Sequence, residues 1–239
     1  MKERTILLIL ALGMSSCSKH TAAPPAPSGA AATGAALVVV SGDKQVARIG
    51  AVLDQPVVVQ VNDAQGTAVP GAGVSLSGAP GMKFDPAAGV TDSSGQFSSQ
   101  VSASGMSGHF QVVAAANAGK VQLQIDEIAL GYEETVGRQL NTQYCARCHD
   151  PESTPERVSN MDNLDPKPHA FTEGDTLNKI SDADLISLIS HGGAALNKPA
   201  SMPPFGYTLS KTDIQALASY IRAVSDPPYR APGRVYASK

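Results

Sequence analysis

Cys145-Ala146-Arg147-Cys148-His149 is the stretch that decides how the second half of this chain is read. Two cysteines three positions apart fall on one side of a single helical turn, and a histidine follows at once. Three chemistries use such a pair. A zinc site needs four ligands, and with three cysteines in 239 residues there is no second pair to complete one. A redox dithiol should follow a strand and open a helix inside a βαβ unit, and no such pattern surrounds the motif. The third chemistry is covalent attachment of a porphyrin. Two thiols bond to the two vinyl groups of one porphyrin edge, and the next residue lies under the iron. Cys145 and Cys148 are therefore the expected attachment points of one haem c, with His149 as its proximal iron ligand. Electron transfer is the function expected first.

The chain also offers a second axial ligand. Met202, in Ser201-Met202-Pro203-Pro204-Phe205-Gly206, follows His149 by 53 residues. Prolines stiffen the loop, so a thioether can be held against iron at little entropic cost. Met161, His169 and His191 compete for the same position. A bis-histidine site and an open or exchangeable sixth position stand as alternatives to Met202. Taken together, residues 131–228 resemble a class I c-type cytochrome, with C-x-x-C-H near the start, M-P-P-F-G late and a closing amphipathic helix. The resemblance implies an all-α fold in which the first and last helices cross closely. Gly137 offers the small surface, and Leu217 and Tyr220 match the facing positions. It also implies that a proline carbonyl accepts the hydrogen bond of the proximal histidine. Pro166 and Pro168 are the first candidates, Pro151 and Pro155 the next. Asn141 stands where that family usually has an aromatic residue, with Leu140 or Tyr144 as substitutes, and Asp150 stands where Gly is frequent.

Helical signals run through this half. Glu133 and Glu134 favour a helix start that runs into Cys145. Ser181 caps a second helix carrying Leu185, Ile186, Leu188 and Ile189, and Gly192-Gly193 stops it. Ser210-Lys211-Thr212-Asp213 opens the last, with Ile214, Leu217, Tyr220, Ile221 and Val224 on one face, and Pro227-Pro228 ends it. Residues 229–239 are a C-terminal tail.

Residues 37–128 read differently. Leu37–Val40, Pro56–Val61, Gly73–Ser77, Phe97–Ser102, His109–Ala115 and Val121–Ile125 are short apolar or alternating runs separated by turn clusters such as Asn62–Gly66 and Thr91–Gln96. Six to seven strands predict a β-sandwich. The run from Val61 to Gly66, then Val69-Pro70-Gly71, Val74-Ser75-Leu76 and Thr91–Gly95, resembles the bacterial Ig-like repeats of invasin-type and intimin-type surface proteins. That resemblance implies a spacer or an adhesive module. The region has no cysteine, so it has no inter-sheet disulfide. His109 is expected to be a strand residue, not a metal ligand.

The N-terminus reads as an export signal over residues 1–17. Charged Met1–Arg4 precede ten apolar residues, Thr5–Met14, too few to span a bilayer. Met14-Ser15-Ser16-Cys17 resembles a lipobox, which implies acylation of Cys17 and a lipid anchor. Ordinary cleavage near Ala22 or Ala23 is the alternative. Residues 18–36 have the Ala, Pro, Ser and Gly composition of a linker, with His20 solvated, and reach about 25 Å as a flexible chain. Ser18, in place of an inner-membrane retention Asp, points to the outer membrane.

The formal net charge is −3, which gives no basic field for nucleic acid. Residues 131–239 hold 11 Lys+Arg and 13 Asp+Glu, a net of −2, so strong electrostatic steering of partners is not expected. No catalytic triad, catalytic metal cluster or nucleotide loop is present. The resulting expectation is an exported, lipid-anchored monohaem carrier on the periplasmic side of a membrane or at the cell surface. It would pass single electrons between a protein donor and a protein acceptor, with the electron-accepting subunit of an oxidoreductase as one setting for that role. A haem sensor with a displaceable methionine, and an adhesion or scaffold protein carrying a cytochrome, are the other classes open to the sequence.

Overall fold

The computed structural model describes residues 34–117, 119–150 and 159–232. Cys17, the signal, all but the end of the linker, Pro151 and Pro155 lie outside the described residues. Everything described belongs to one unit, Ala31–Lys239.

Its first part is two packed sheets. One holds β1 (Ala36–Ser41), β3 (Val57–Asn62), β7 (Gln96–Ser102) and β5 (Lys83–Asp85) in the order β1-β3-β7-β5. The other holds β2 (Val46–Arg48), β9 (Val121–Leu130), β8 (Gly108–Ala116), β4 (Gly73–Gly78) and β6 (Ala88–Val90) in the order β2-β9-β8-β4-β6. All pairings are antiparallel except β2 with β9. Alternation does the sorting: Val57, Val59 and Val61 point inward, as do Val112, Ala114 and Ala116 on the facing sheet, while their neighbours are less buried. The expected sandwich is present with nine strands, not six or seven. The three additional strands, β2, β5 and β6, are three residues each, too short to show a period.

Two turns share one device. Asp63 Oδ1 accepts from the amides of Gln65 and Thr67, and Asp92 Oδ1 accepts from those of Ser94 and Gln96. Each loop then closes through a glycine at positive φ, Gly66 and Gly95. These local bonds hold the strand ends of a domain that has no disulfide.

One inward position carries a carboxyl group. Glu127 on β9 is 2% exposed; Oε2 accepts from the Gln45 amide at 2.9 Å, and Oε1 has no partner. Burial pushes its carboxyl up from 4.5 to about 8, aided by the nearby charges of Asp43 and Asp126.

β9 hands over to helices across a single residue, Gly131, the N-cap of α1 (Tyr132–Leu140). A π-helical turn, Asn141–Cys145, leads into α2 (Ala146–His149). Then come α3 (Gly174–Leu177), α4 (Asp182–His191) and α5 (Lys211–Val224). The two serine caps are where the sequence puts them. Ser181 Oγ accepts from the Asp184 amide, and Ser210 with Asp213 forms a full capping box. Buried Leu177, Leu185, Ile189, Ile214, Leu217 and Ile221 make one core with Cys145.

α1 crosses α5 at Gly137. A methyl group there would overlap the Ala216 carbonyl oxygen and stand 2.6 Å from Tyr220 Cβ. The contact expected at Gly137 is present, but Ala216 takes the place assigned to Leu217, which turns into the core at 1% exposure. Arg138 on α1 reaches back to the sandwich, donating to the Val46 carbonyl at 2.7 Å.

Glu127 yields a prediction. Its folded-state affinity for a proton exceeds that of the unfolded chain. The unfolded chain releases that proton above pH 4.5, whereas the folded chain keeps it to about 8, so stability falls as pH rises across that window. Glu127→Gln keeps an acceptor for Gln45 and removes the titration. Thermal melts should show no gain for the variant at pH 4 and a gain of about 2–4 °C at pH 8, the scale of 1 kcal/mol in a chain of this size. Equal effects at both pH values would contradict the assignment.

Candidate haem site

The motif is presented by a continuous helical run. The π-helical turn displaces the backbone by one residue just before the first cysteine, a feature often found at functional sites. Cys145 faces the core at 9% exposure, and Cys148 is half-buried one turn on. Both thiols are free, and burial pushes that of Cys145 up to about 12. A thiol kept neutral among Leu side chains suits conversion to an apolar thioether better than use as a thiolate ligand.

His149 is held on two sides. Its Nδ1 lies 2.7 Å from the carbonyl oxygen of His169. A carbonyl only accepts, so Nδ1 carries the proton and Nε2 keeps its lone pair. Phe171 stacks on the ring at 4.8 Å between centroids and 29° between planes. Burial lowers the pKa of the imidazole, which favours the neutral, ligating form. Further on, the Asn160 amide donates to the Arg147 carbonyl at 2.7 Å and Ser159 Oγ to that of Asp150 at 2.6 Å, tying the returning chain to the motif.

The acceptor is a correction to the sequence reading. It is not Pro166 or Pro168 but the next residue, His169, because the peptide that turns toward the imidazole is 169–170. Glu173 fixes that peptide: Oε1 accepts from the Ala170 amide at 3.1 Å, and Oε2 accepts from His169 Nδ1 at 2.6 Å. Phe171 and Glu173 were not singled out in the sequence. The i, i+4 spacing of His169 and Glu173 was the one available signal.

Met202 sits on a strap laid over the end of α4. The Phe205 and Gly206 amides donate to the Ile189 and Ser190 carbonyls at 3.0 and 2.9 Å, and the Gly193 amide donates to the Met202 carbonyl at 3.0 Å. These bonds satisfy carbonyls a helix end leaves open. Met202 and Phe205 are half-buried against the same core as Cys145, and the Phe205 ring meets Tyr144 edge-on at 6.3 Å. Tyr144 and Leu140 both pack on this core, taking the role expected of them beside Asn141. Asn141 itself is buried, and its Oδ1 has no partner.

The competing ligands have surroundings of their own. The His169 ring is engaged by Glu173, His191 Nδ1 lies 3.1 Å from the Ser187 carbonyl on α4, and Met161 is 4% exposed at a 3₁₀ turn. The residues present thus fit a haem. One edge has two thiols, one of them neutral and buried, and one side has a neutral imidazole with Nε2 uncommitted. A thioether strap and the rings of Tyr144, Phe171 and Phe205 supply the apolar contact.

A cavity of about 840 Å³ lies beside this site. Its walls come from the outer face of β8 and β9, with His109, Gln111 and Ile128, and from the helical part, with Phe171, Tyr220 and Val224.

Comparison with known proteins agrees with the helical part. Residues 133–221 match the family model described as cytochrome C oxidase, cbb3-type, subunit III. This segment is similar to cytochrome c family domains, and such a domain implies covalently bound haem c and haem-based electron transfer. No curated protein matches the chain. Among solved structures, the Yersinia pseudotuberculosis adhesin InvE is 17% identical with a TM-score of 0.34, over 42% of this chain and 32% of that one. The D00–D0 domain of intimin is 16% identical with a TM-score of 0.32, over 44% and 51%. The KustC0563 c-type cytochrome is 25% identical with a TM-score of 0.29, over 37% and 96%. The chain spans about a third of the first adhesin structure and about half of the second.

The strap gives a prediction. Gly192 has φ of 78°, and a methyl group on it would stand 2.8 Å from the Met202 carbonyl oxygen. Gly192→Ala should lower stability by about 1–3 kcal/mol in denaturant titration, through backbone strain and displacement of the strap. An unchanged midpoint would show that the strap does not depend on this approach.

Proposed function

We propose that the chain is an exported, membrane-tethered c-type cytochrome with a single haem, carrying one electron at a time between protein partners. In this reading residues 1–17 are a lipoprotein signal and Cys17 is acylated. Residues 18–36 tether an Ig-like sandwich at 37–128, and residues 131–228 are a class I cytochrome domain. Attachment is assigned to Cys17 because Met14-Ser15-Ser16-Cys17 resembles a lipobox; among the described residues no helix is long and apolar enough to cross a membrane. The outer membrane is the favoured location.

The observation that carries the reading is the state of His149. Its proton is committed at Nδ1 to the His169 carbonyl, so Nε2 is offered to a metal on the ring edge away from the loop. Haem supplies a one-electron ferric/ferrous couple when bound. The chain does the rest. Cys145 and Cys148 fix the porphyrin edge. Phe171 and the 169 carbonyl stop the imidazole from rotating. Met202, on a strap whose Phe205 and Gly206 amides bond to α4, would supply the second iron ligand. With a ligand offered from each of two hydrogen-bonded loops, little would have to move on electron transfer and small ligands would be kept out. A thioether opposite an imidazole favours the ferrous state and raises the potential relative to two imidazoles.

Optical spectra of purified, haem-loaded protein, oxidised and reduced, test this against Met202→Ala. The variant should lose the weak far-red methionine–ferric band and show a lower midpoint potential. An unchanged spectrum would remove Met202 as the ligand and return the argument to His169, His191 or an open position.

A further inference from the structure

We infer that Glu173 is a positioning residue for the iron-ligating imidazole, acting on His149 through the His169–Ala170 peptide. The inference rests on the reading of His149 as an iron ligand.

The geometry is a relay of three groups. The peptide joining His169 and Ala170 is trans, since the cis bonds among the described residues are at Asp85-Pro86, Asp165-Pro166 and Asp226-Pro227. In a trans peptide the C=O and N–H point in opposite directions. Glu173 Oε1 takes the N–H end at 3.1 Å, and His149 Nδ1–H meets the C=O end at 2.7 Å. Holding one end therefore aims the other. The loop is closed on itself as well, because the Glu173 amide donates to the Ala170 carbonyl at 3.0 Å. It is also anchored from outside. The Gly174 amide donates to the Asp226 carbonyl at 3.0 Å, and the Asp226 amide returns a bond to the Thr172 carbonyl at 2.9 Å.

The relay also carries charge. A carboxylate on the N–H end of a peptide polarises it and makes the carbonyl a stronger acceptor. A stronger acceptor draws the Nδ1 proton and makes Nε2 a better donor to the metal, as a carboxylate does when it bonds such a histidine directly. The higher oxidation state gains most from that. His169 opposes the effect, because its Nδ1–H shares the same carboxylate through Oε2 at 2.6 Å. The pair is about half exposed, so solvent screens it and the effect is several-fold, not orders of magnitude.

Full-length haem-loaded protein tests this with Glu173→Gln and His169→Ala, by spectroelectrochemical midpoint potential and by the proton resonance of His149 Nδ1–H in the reduced state. Glu173→Gln should leave the optical spectrum intact and move the potential up by roughly a two- to tenfold loss of ferric preference, at most about 59 mV for a one-electron couple. The Nδ1–H resonance should move to the position of a weaker hydrogen bond. His169→Ala keeps the 169 carbonyl and leaves the carboxylate wholly on Ala170, so its potential should fall. The opposite signs separate the relay from a general loosening of the loop, which would move both variants the same way. An unmoved potential in Glu173→Gln, or an unmoved or raised one in His169→Ala, overturns the inference. Should Glu173→Gln not load haem, the sign for His169→Ala decides. A wild-type protein without covalent haem, or without a low-spin spectrum, fails the haem reading itself and the inference with it.

Discussion

The hydrogen bond from His149 Nδ1 to the His169 carbonyl is the constraint on which the helical half depends. It sets the tautomer, it orients the ring against Phe171, and it closes a loop that would otherwise have no reason to return to the motif. That loop does not stand alone. Thr172 and Gly174 bond to Asp226 just beyond α5, and Asn178 Nδ2 donates to the Pro227 carbonyl at 2.8 Å. Arg222, on the last turn of α5, donates to the carbonyls of Leu177 and Ile180 and pairs with Asp182. The imidazole is thus referenced to α5. α5 in turn is referenced to the motif helix through the close approach at Gly137. The circuit runs from α1 through the motif and the proximal loop to α5 and back to α1. A side chain at Gly137 would open it far from the imidazole.

The two proposed ligands are presented on one principle. His149 is held through its own ring, by the His169 carbonyl and Phe171, and Met202 through the backbone of its strap. In both cases the segment that does the holding is itself pinned by hydrogen bonds: 159–160 and 169–174 on one side, 192–193 and 205–206 on the other. Backbone bonds are short and few in conformer, so they hold a ligand with less entropy left to lose than long polar side chains would. This matches the demands of a carrier, for which the geometry of the two oxidation states must be nearly the same.

Much of this was legible in the sequence, and what was not has physical reasons. The motif and the serine caps at 181 and 210 are local: their chemistry lies within four residues, so the spacing carries it. The sandwich is legible where strands reach six residues and alternation can be counted, as in Val57–Asn62. β2, β5 and β6 are defined by partners far away in the chain, and three residues have no period. The choice of Ala216 over Leu217 against Gly137 is a rotation of one position about α5. Sequence periodicity gives the face of a helix but not which of two adjacent residues sits at its edge. The acceptor for His149 was one residue off for a similar reason. Proline marks where such a loop turns, but the peptide that faces the ring is chosen by Glu173, four residues past His169.

The sandwich and the helical part are joined too tightly for the first to be only a spacer in the mechanical sense. One residue, Gly131, separates β9 from α1, so the direction of the last strand sets the direction of the motif helix. Arg138 bonds to Val46, and β2 is itself held by pairing with β9, so strand, helix and clamp move together. The outer face of β8 and β9 then becomes one wall of the cavity whose opposite wall includes Phe171, the ring stacked on His149. A tether needs none of this; a flexible linker of the composition found at 18–36 would serve. The sheet instead gives the proximal loop a wall on its flank. That loop holds the imidazole whose protonation state and orientation suit it to the ligand role proposed for His149.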